Sequence, residues 1–315
     1  MQERQPTTNG ARAAAERIAG QVTRTPLLPL DWQRRRLWVK AECLQQGGSF
    51  KLRGATNRLV QLSEAERGRG VVAFSSGNHA QGVALAARRL GIAATIVMPS
   101  DAPAVKADAT RAAGAEIVFY DRERENREEI AERLAAERGA TLVPSFDDVD
   151  VIEGQGSVGV EIEAQLGGAP AMVIVPCGGG GLSAGIALAL PETKVVIAEP
   201  HGWDDMKRSL ERGGIVPVQE PAPPTSCDAL QTKRVSPLTF GALRDAGAVG
   251  VAVTEEEVRE AIRFAFARLR IVAEPGGAVA LAALISGRAG DVPDGSVVVV
   301  SGGIIDPRAY AEIIA

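Results

Sequence analysis

The feature that most constrains this chain is an alternation. Short runs of apolar, β-branched residues are each followed by an alanine-rich amphipathic stretch. LWVKAE (37–42), VVAFSS (71–76), AATIVM (93–98), EIVFY (116–120), MVIVP (172–176), KVVIAE (194–199) and SVVVVS (296–301) have the length and composition of buried strands. NHAQGVALAARRLG (78–91), RENREEIAERLAAERG (124–139), TEEEVREAIRFAFARL (254–269) and PGGAVALAALISG (275–287) read as helices. Strands that are apolar throughout, alternating with helices, predict an α/β fold of mostly parallel sheets covered on both faces. PVQEPAPPTS (217–226), the most proline-rich segment, predicts a surface loop. Residues 70–143 hold several compact strand–helix units of their own. They predict a small domain, 66–144, inserted into a large one built from 1–65 and 145–315.

Composition narrows the function. The 315 residues are 45% hydrophobic and 23% charged, the profile of a globular protein with a sizeable core. A net charge of −4, from 35 basic and 39 acidic residues, gives no electrostatic case for nucleic acid or an anionic membrane. Aromatic content of 4% is too low for base-stacking platforms. Cys43, Cys177 and Cys227 are too few and too dispersed for a disulfide framework or a zinc site. The opening MQERQPTTNGARAAAERIAG has no long apolar core, so no signal peptide is expected and the cytoplasm is the default.

VPCGGGGLSAG (175–185) fits three signatures at once. Gly179, Gly181 and Ala184 match a dinucleotide fingerprint, with Glu199 placed where a ribose-binding acid would sit. Gly181 to Gly185 match a nucleophile elbow around Ser183. Gly178 to Gly181 match a phosphate cup, in which crowded backbone N–H groups and a helix start hold an anion. The elbow fails because the chain has only two histidines: His79 precedes Ser183, and His201 follows it too closely. Mid-chain position, four consecutive glycines and Pro200 directly after Glu199 weaken the dinucleotide reading, which stays as an alternative. The phosphate cup accounts for all four glycines.

Two further segments have unusual company. GGSFKLRGA (47–55) sets Lys51 at a helix start beside Ser49 and Phe50. An amine packed beside an aromatic is partly desolvated, which lowers its pKa and makes it nucleophilic. A buried lysine together with a phosphate cup suggests pyridoxal phosphate. SSGNHAQG (75–82), between a strand and a helix, offers hydroxyls and helix-start N–H groups to a carboxylate.

Together these segments resemble the fold-type II pyridoxal-phosphate enzymes, in particular the serine/threonine dehydratase and serine racemase group. The matching stretches are SFKLRGA around Lys51, SSGNHAQ (75–81), GQGS (154–157), GGGGLSAG (178–185), AEP (198–200), EPGGAVALAAL (274–284) and SGG (301–303), which span nearly the whole chain. The resemblance implies a two-lobed architecture like the tryptophan synthase β chain, with the cofactor in the cleft. It implies that Lys51 forms the Schiff base and moves the α-proton, that Phe50 lies against the ring, and that Asn78 bonds the ring hydroxyl. Gly178, Gly179, Gly180, Gly181 and Leu182 would bind the phosphate, and Ser301 would face the ring nitrogen. Ser75, Ser76, Gly77, Asn78 and His79 would bind the substrate carboxylate, with Ser76 a second acid/base opposite Lys51. Arg124, within RERENREE (122–129), would reach toward the substrate. EPHGWDD (199–205) resembles a divalent-cation site of the racemase-like members, with Glu199, Asp205 and the Trp203 carbonyl as ligands to Mg²⁺ or Ca²⁺. A homodimer is implied as well. The expected activity is a lyase taking L-serine, L-threonine or 3-hydroxyaspartate to a 2-keto acid and ammonia, with a racemase on the same site as the alternative. The chain ends soon after SGGIIDP, so no C-terminal regulatory domain is expected. Two departures bear on substrate choice: Ile304 stands where the family usually has Asn after SGG, and Cys227 lies in a segment that faces the site in relatives.

Overall fold

In the computed structural model, which describes residues 4–75, 77–102 and 104–315, the apolar runs form two separate sheets. The strands are β1 (Leu27–Trp32), β2 (Arg35–Ala41), β3 (Val71–Phe74), β4 (Ala94–Pro99), β5 (Glu116–Tyr120), β6 (Thr141–Leu142), β7 (Met172–Pro176), β8 (Lys194–Pro200), β9 (Val249–Val253) and β10 (Val297–Val300). One sheet has the order β1-β2-β10-β7-β8-β9, and the other has β5-β4-β3-β6. Every pairing is parallel except the β1–β2 hairpin. The architecture is the expected mostly parallel α/β.

Burial follows position in the sheet. Central β10 is four valines, all at 0% exposure, paired with β2 on one side and β7 on the other. Such a strand needs apolar residues on both faces because helices cover both. Edge strand β5 keeps Glu116 and Phe119 at the surface. Helix Pro275–Ile285 packs on β7, β8 and β10, and Pro275 to Leu284 are all buried in it. No helix among the described residues is long and apolar enough to cross a membrane.

Three boundaries differ from expectation. The helix expected over 124–139 starts at Arg127, because the Asn126 side chain accepts from the N–H groups of Glu128 and Glu129 and caps it there. The helix expected over 254–269 is α-helical to Phe264 and then loosens into a π turn, Ala265–Leu269, ending at left-handed Arg270. Strands β1, β6 and β9 went unforeseen. The β1–β2 hairpin turns on Gln33 and Arg34, both at positive φ, where asparagine and glycine are the usual signal, and Pro29 sits on the free edge of β1.

Leu281, at 0% exposure in the central helix, is the sharpest test of this packing. Leu281→Ala should lower unfolding free energy by about 2–5 kcal/mol. Urea melts at constant m-value measure it, and a loss under about 1 kcal/mol would mean that the helix is not the packed centre described.

Candidate active site

The site forms where parallel strands end. The glycine loop follows β7, Ser301 follows β10, and Ser75 follows β3 of the other sheet. Open α/β sheets bind ligands at these carboxyl ends. A short bridge between Ser49 and Gly302 draws the Lys51 loop alongside Ser301, reinforced by the Phe50 N–H donating to the Ser301 carbonyl at 3.1 Å. Lys51 then opens helix Lys51–Val60.

The half-buried Lys51 side chain donates from Nζ to the Ser145 carbonyl at 2.9 Å and stands 5.1 Å from the centroid of the Phe50 ring. Burial lowers its pKa to about 8. A sizeable neutral fraction near physiological pH makes this amine a usable nucleophile and base.

The glycine loop is crowded from behind and open in its N–H groups. A Cβ on Gly179 would lie 2.3 Å from the Phe146 ring, and one on Gly178 would lie 3.0 Å from Leu230 Cα. Gly180, at φ +88, would meet Met206 and Thr239 at 2.8 and 2.9 Å. Among the described residues, the N–H groups of Gly178, Gly179, Gly180, Gly181 and Leu182 donate to nothing. Five free amides at the start of helix Gly181–Ala189 are the donor set that a phosphate needs.

At the end of β3, the Gly77 N–H donates to Ser75 Oγ at 3.2 Å, and Asn78 begins helix Asn78–Leu90. Ser76 lies outside the described residues. The buried His79 ring bonds the Val143 carbonyl through Nε2 at 2.8 Å. A carbonyl only accepts, so Nε2 holds the proton and Nδ1 is bare. Burial, and then the charge of Lys51, lowers the His79 pKa to about 3. The neutral ring therefore has no N–H to offer a carboxylate, and His79 can contribute only its backbone N–H.

Two expected groups need separate treatment. Arg124 is not drawn into the site: its side chain is 83% exposed and 3.7 Å from Asp121, because the Asn126 cap leaves it in the turn before the helix. In the same segment, Arg127 has its guanidinium 5.6 Å from the centroid of the Phe74 ring. At the end of β8, Glu199 is fully buried and accepts from the N–H groups of Met206 at 3.2 Å and Lys207 at 2.7 Å. Asp205 is buried, and neither of its carboxylate oxygens has a hydrogen-bond partner. Burial raises both acids, Asp205 to about 7. No cluster of three His, Cys, Asp or Glu side chains forms among the described residues, so a cation here would need backbone oxygen beside the two carboxylates. Trp203 lies between them in sequence, its indole N–H donating to the Pro223 carbonyl at 2.8 Å.

Sequence reasoning missed four neighbours. Phe146 and Leu230 back the glycines. Lys106, buried and paired with Asp228, has its amine 3.3 Å from where a Cβ on Gly77 would lie. Buried Glu274 bonds Asn78. The one available signal was an acid directly before the wholly apolar helix PGGAVALAALI. Of the two departures, Ile304 packs over Gly48, and Cys227 is buried in the core with burial raising its thiol to about 12, so neither presents a reactive group.

Comparison with known proteins shows the family. The model of the pyridoxal-phosphate dependent enzyme family matches residues 18–303. The chain is 43% identical to an L-threo-3-hydroxyaspartate ammonia-lyase from a Pseudomonas species, over 96% of both chains. It is 43% identical to an L-threonine ammonia-lyase from Thermotoga maritima, over 88% of this chain and 69% of that one. A solved structure of maize serine racemase superposes with a TM-score of 0.92 at 34% identity, covering 98% of this chain and 97% of the other. With the family matched across nearly the whole chain, on a fold of the same topology, the protein belongs to the pyridoxal-phosphate dependent enzymes.

Proposed function

We propose that this chain is an ammonia-lyase that converts a β-hydroxy amino acid to the 2-keto acid and ammonia. The observation that carries the reading is the desolvated Lys51 amine set beside Phe50, in a site whose glycine loop has five free amides. When bound, pyridoxal phosphate supplies an electron sink that acidifies the substrate α-carbon. Lys51 would hold it covalently through Nζ and, once released, take the α-proton on the same atom. The amides of Gly178 to Leu182 would hold the phosphate, Phe50 the ring face, Asn78 the ring hydroxyl and Ser301 the ring nitrogen. A neutral hydroxyl at that nitrogen leaves it unprotonated, which limits charge delocalisation and favours prompt loss of a β-substituent. Ser75, Gly77 and the backbone N–H groups of Asn78 and His79 suit the substrate carboxylate, and Ser76 is read as the acid/base of the opposite face.

L-threo-3-hydroxyaspartate is the first candidate substrate. The Pseudomonas relative bearing that name matches end to end. A substrate with a second carboxylate also suits the buried Lys106 amine beside Gly77. L-Threonine and L-serine come next. A racemase is the second reading, favoured by the likeness to maize serine racemase. Glu199, Asp205 and the Trp203 carbonyl are read as a Mg²⁺ or Ca²⁺ site, which would satisfy the two orphaned oxygens of Asp205. Residues 66–144 are read as the small lobe, and the assembly as a homodimer.

Purified enzyme should carry a visible absorbance band that Lys51→Ala abolishes. It should release ammonia and 2-keto acid fastest from 3-hydroxyaspartate, with chiral chromatography reporting any D-product. Silence on hydroxyaspartate, threonine and serine alike would sink the lyase reading, and dominant D-product would favour the racemase.

For the cation, Mg²⁺ in place of chelator should raise the melting temperature by a few degrees through preferential binding to the folded state. Asp205→Asn should not respond. Identical melts of the wild-type protein in Mg²⁺ and in chelator would remove the site.

A further inference from the structure

Glu274 is an unusual residue to bury. It is 1% exposed, and among the described residues no cation touches its carboxylate and one of its oxygens, Oε2, has no partner. Burying an acid this way costs stability, and an apolar residue of the same size would cost less. Nor does it serve its own helix: Glu274 stands at the N-cap of Pro275–Ile285 without making a side-chain cap. Its one side-chain bond runs instead to the site, where Oε1 accepts from Asn78 Nδ2 at 2.5 Å.

Its backbone ties it to the same place. The Glu274 N–H donates to the Gly302 carbonyl at 3.1 Å. A Cβ on Gly302 would lie 1.9 Å from Glu274 Oε1 and 3.1 Å from Asn78 Nδ2, so carboxylate and amide meet across the residue that follows Ser301. On the reading above, Asn78 serves the ring hydroxyl and Ser301 the ring nitrogen. Glu274 stands between them.

We infer that Glu274 is a positioning residue: by accepting one N–H of the Asn78 carboxamide it fixes which way the amide faces and leaves the second N–H of that group as the donor for the cofactor's ring hydroxyl. The inference rests on the assignment of Asn78 to that hydroxyl. An amide has two nearly isosteric ends, one donating and one accepting, and only its partners decide which faces where. Asn78 Oδ1 has no partner, so Glu274 is the sole side-chain contact that sets the orientation among the described residues. The groups facing Glu274 are Asp228 on the 3-10 turn Asp228–Leu230, Lys106 on helix Ala104–Ala112, and Asn78, with the Cys43 thiol also within its field. Burial first, and then Asp228, raise its carboxyl to about 8. Below that pH the acid is neutral, still accepts through one oxygen, and keeps negative charge off the ring edge.

The test uses apoprotein titrated with pyridoxal phosphate, followed by visible absorbance and tryptophan fluorescence. Glu274→Met removes the acceptor and also the buried acid, so it should stay folded, as its melt checks, yet bind the cofactor about tenfold more weakly, as loss of one positioned hydrogen bond implies. Its absorbance maximum should move. Glu274→Gln keeps an acceptor and should restore affinity to within about threefold. Asn78→Ala should lose as much as Glu274→Met, and the double variant should lose no more than either alone. Wild-type affinity and an unshifted band in Glu274→Met, or losses that add in the double variant, would overturn the inference. If wild-type protein itself fails to bind pyridoxal phosphate, the cofactor reading falls instead, and the two failures are told apart.

Discussion

The site depends on a charge network buried behind it. Arg53 forks onto Glu42 at 2.7 and 2.8 Å and reaches Glu161 at 2.7 Å, and Lys40 reaches the other Glu161 oxygen at 2.6 Å. Arg53, Glu42 and Lys40 are all at 0% exposure. These four residues come from helix Lys51–Val60, the turn after β2, β2 itself and helix Val149–Leu166, so two cations and two carboxylates knit the floor of the site. Helical geometry places Arg53 about 200° around from Lys51. Anchoring the one side chain therefore aims the other away from the network, toward Ser145.

Energetics explain why such a network persists. Burying ions is costly, and an apolar replacement of the whole set could be as stable. Once present, though, removing one partner strands the others, at about 3–5 kcal/mol. Despite burial, Arg53 holds Glu42 below its usual pKa, and Glu42 and Glu161 hold Arg53 above its own. Burial still lowers Lys40, but Arg53 and Glu42 contrast with the site. There Lys51, His79, Glu274, Glu199 and Asp205 are shifted chiefly by burial, toward their neutral forms. Charges are matched where the chain must be rigid and left unmatched where chemistry is wanted, the pattern expected of functional sites.

What the sequence disclosed follows from the range of each signal. Parallel strands were legible because burial on both faces demands unbroken apolar runs, as in β7 and β10. The glycine loop and Lys51 were legible because local chemistry is unusual there. β1 was hidden because its hairpin turns on Gln33 and Arg34, residues that carry no turn signature. Arg124 was misplaced because it and Arg127 lie in one charged run, and only the Asn126 cap decides which falls in the turn and which on the helix. Glu274 and Lys106 owe their significance to partners 196 and 122 residues away, a separation no local pattern encodes.

The glycine loop shows how geometry separates overlapping motifs. A nucleophile elbow needs a serine with a free hydroxyl and an available histidine. Ser183 Oγ is spent on the Gly180 carbonyl at 3.1 Å, and His79 is spent on Val143. A dinucleotide site needs the acid after the next strand to face a ribose. Glu199 is spent on the Met206 and Lys207 amides instead. The phosphate cup asks only for unpaired N–H groups at a helix start, and the loop has five of them. Each motif names a donor or acceptor that must be free, so the hydrogen bonds already made decide among readings that the letters alone cannot.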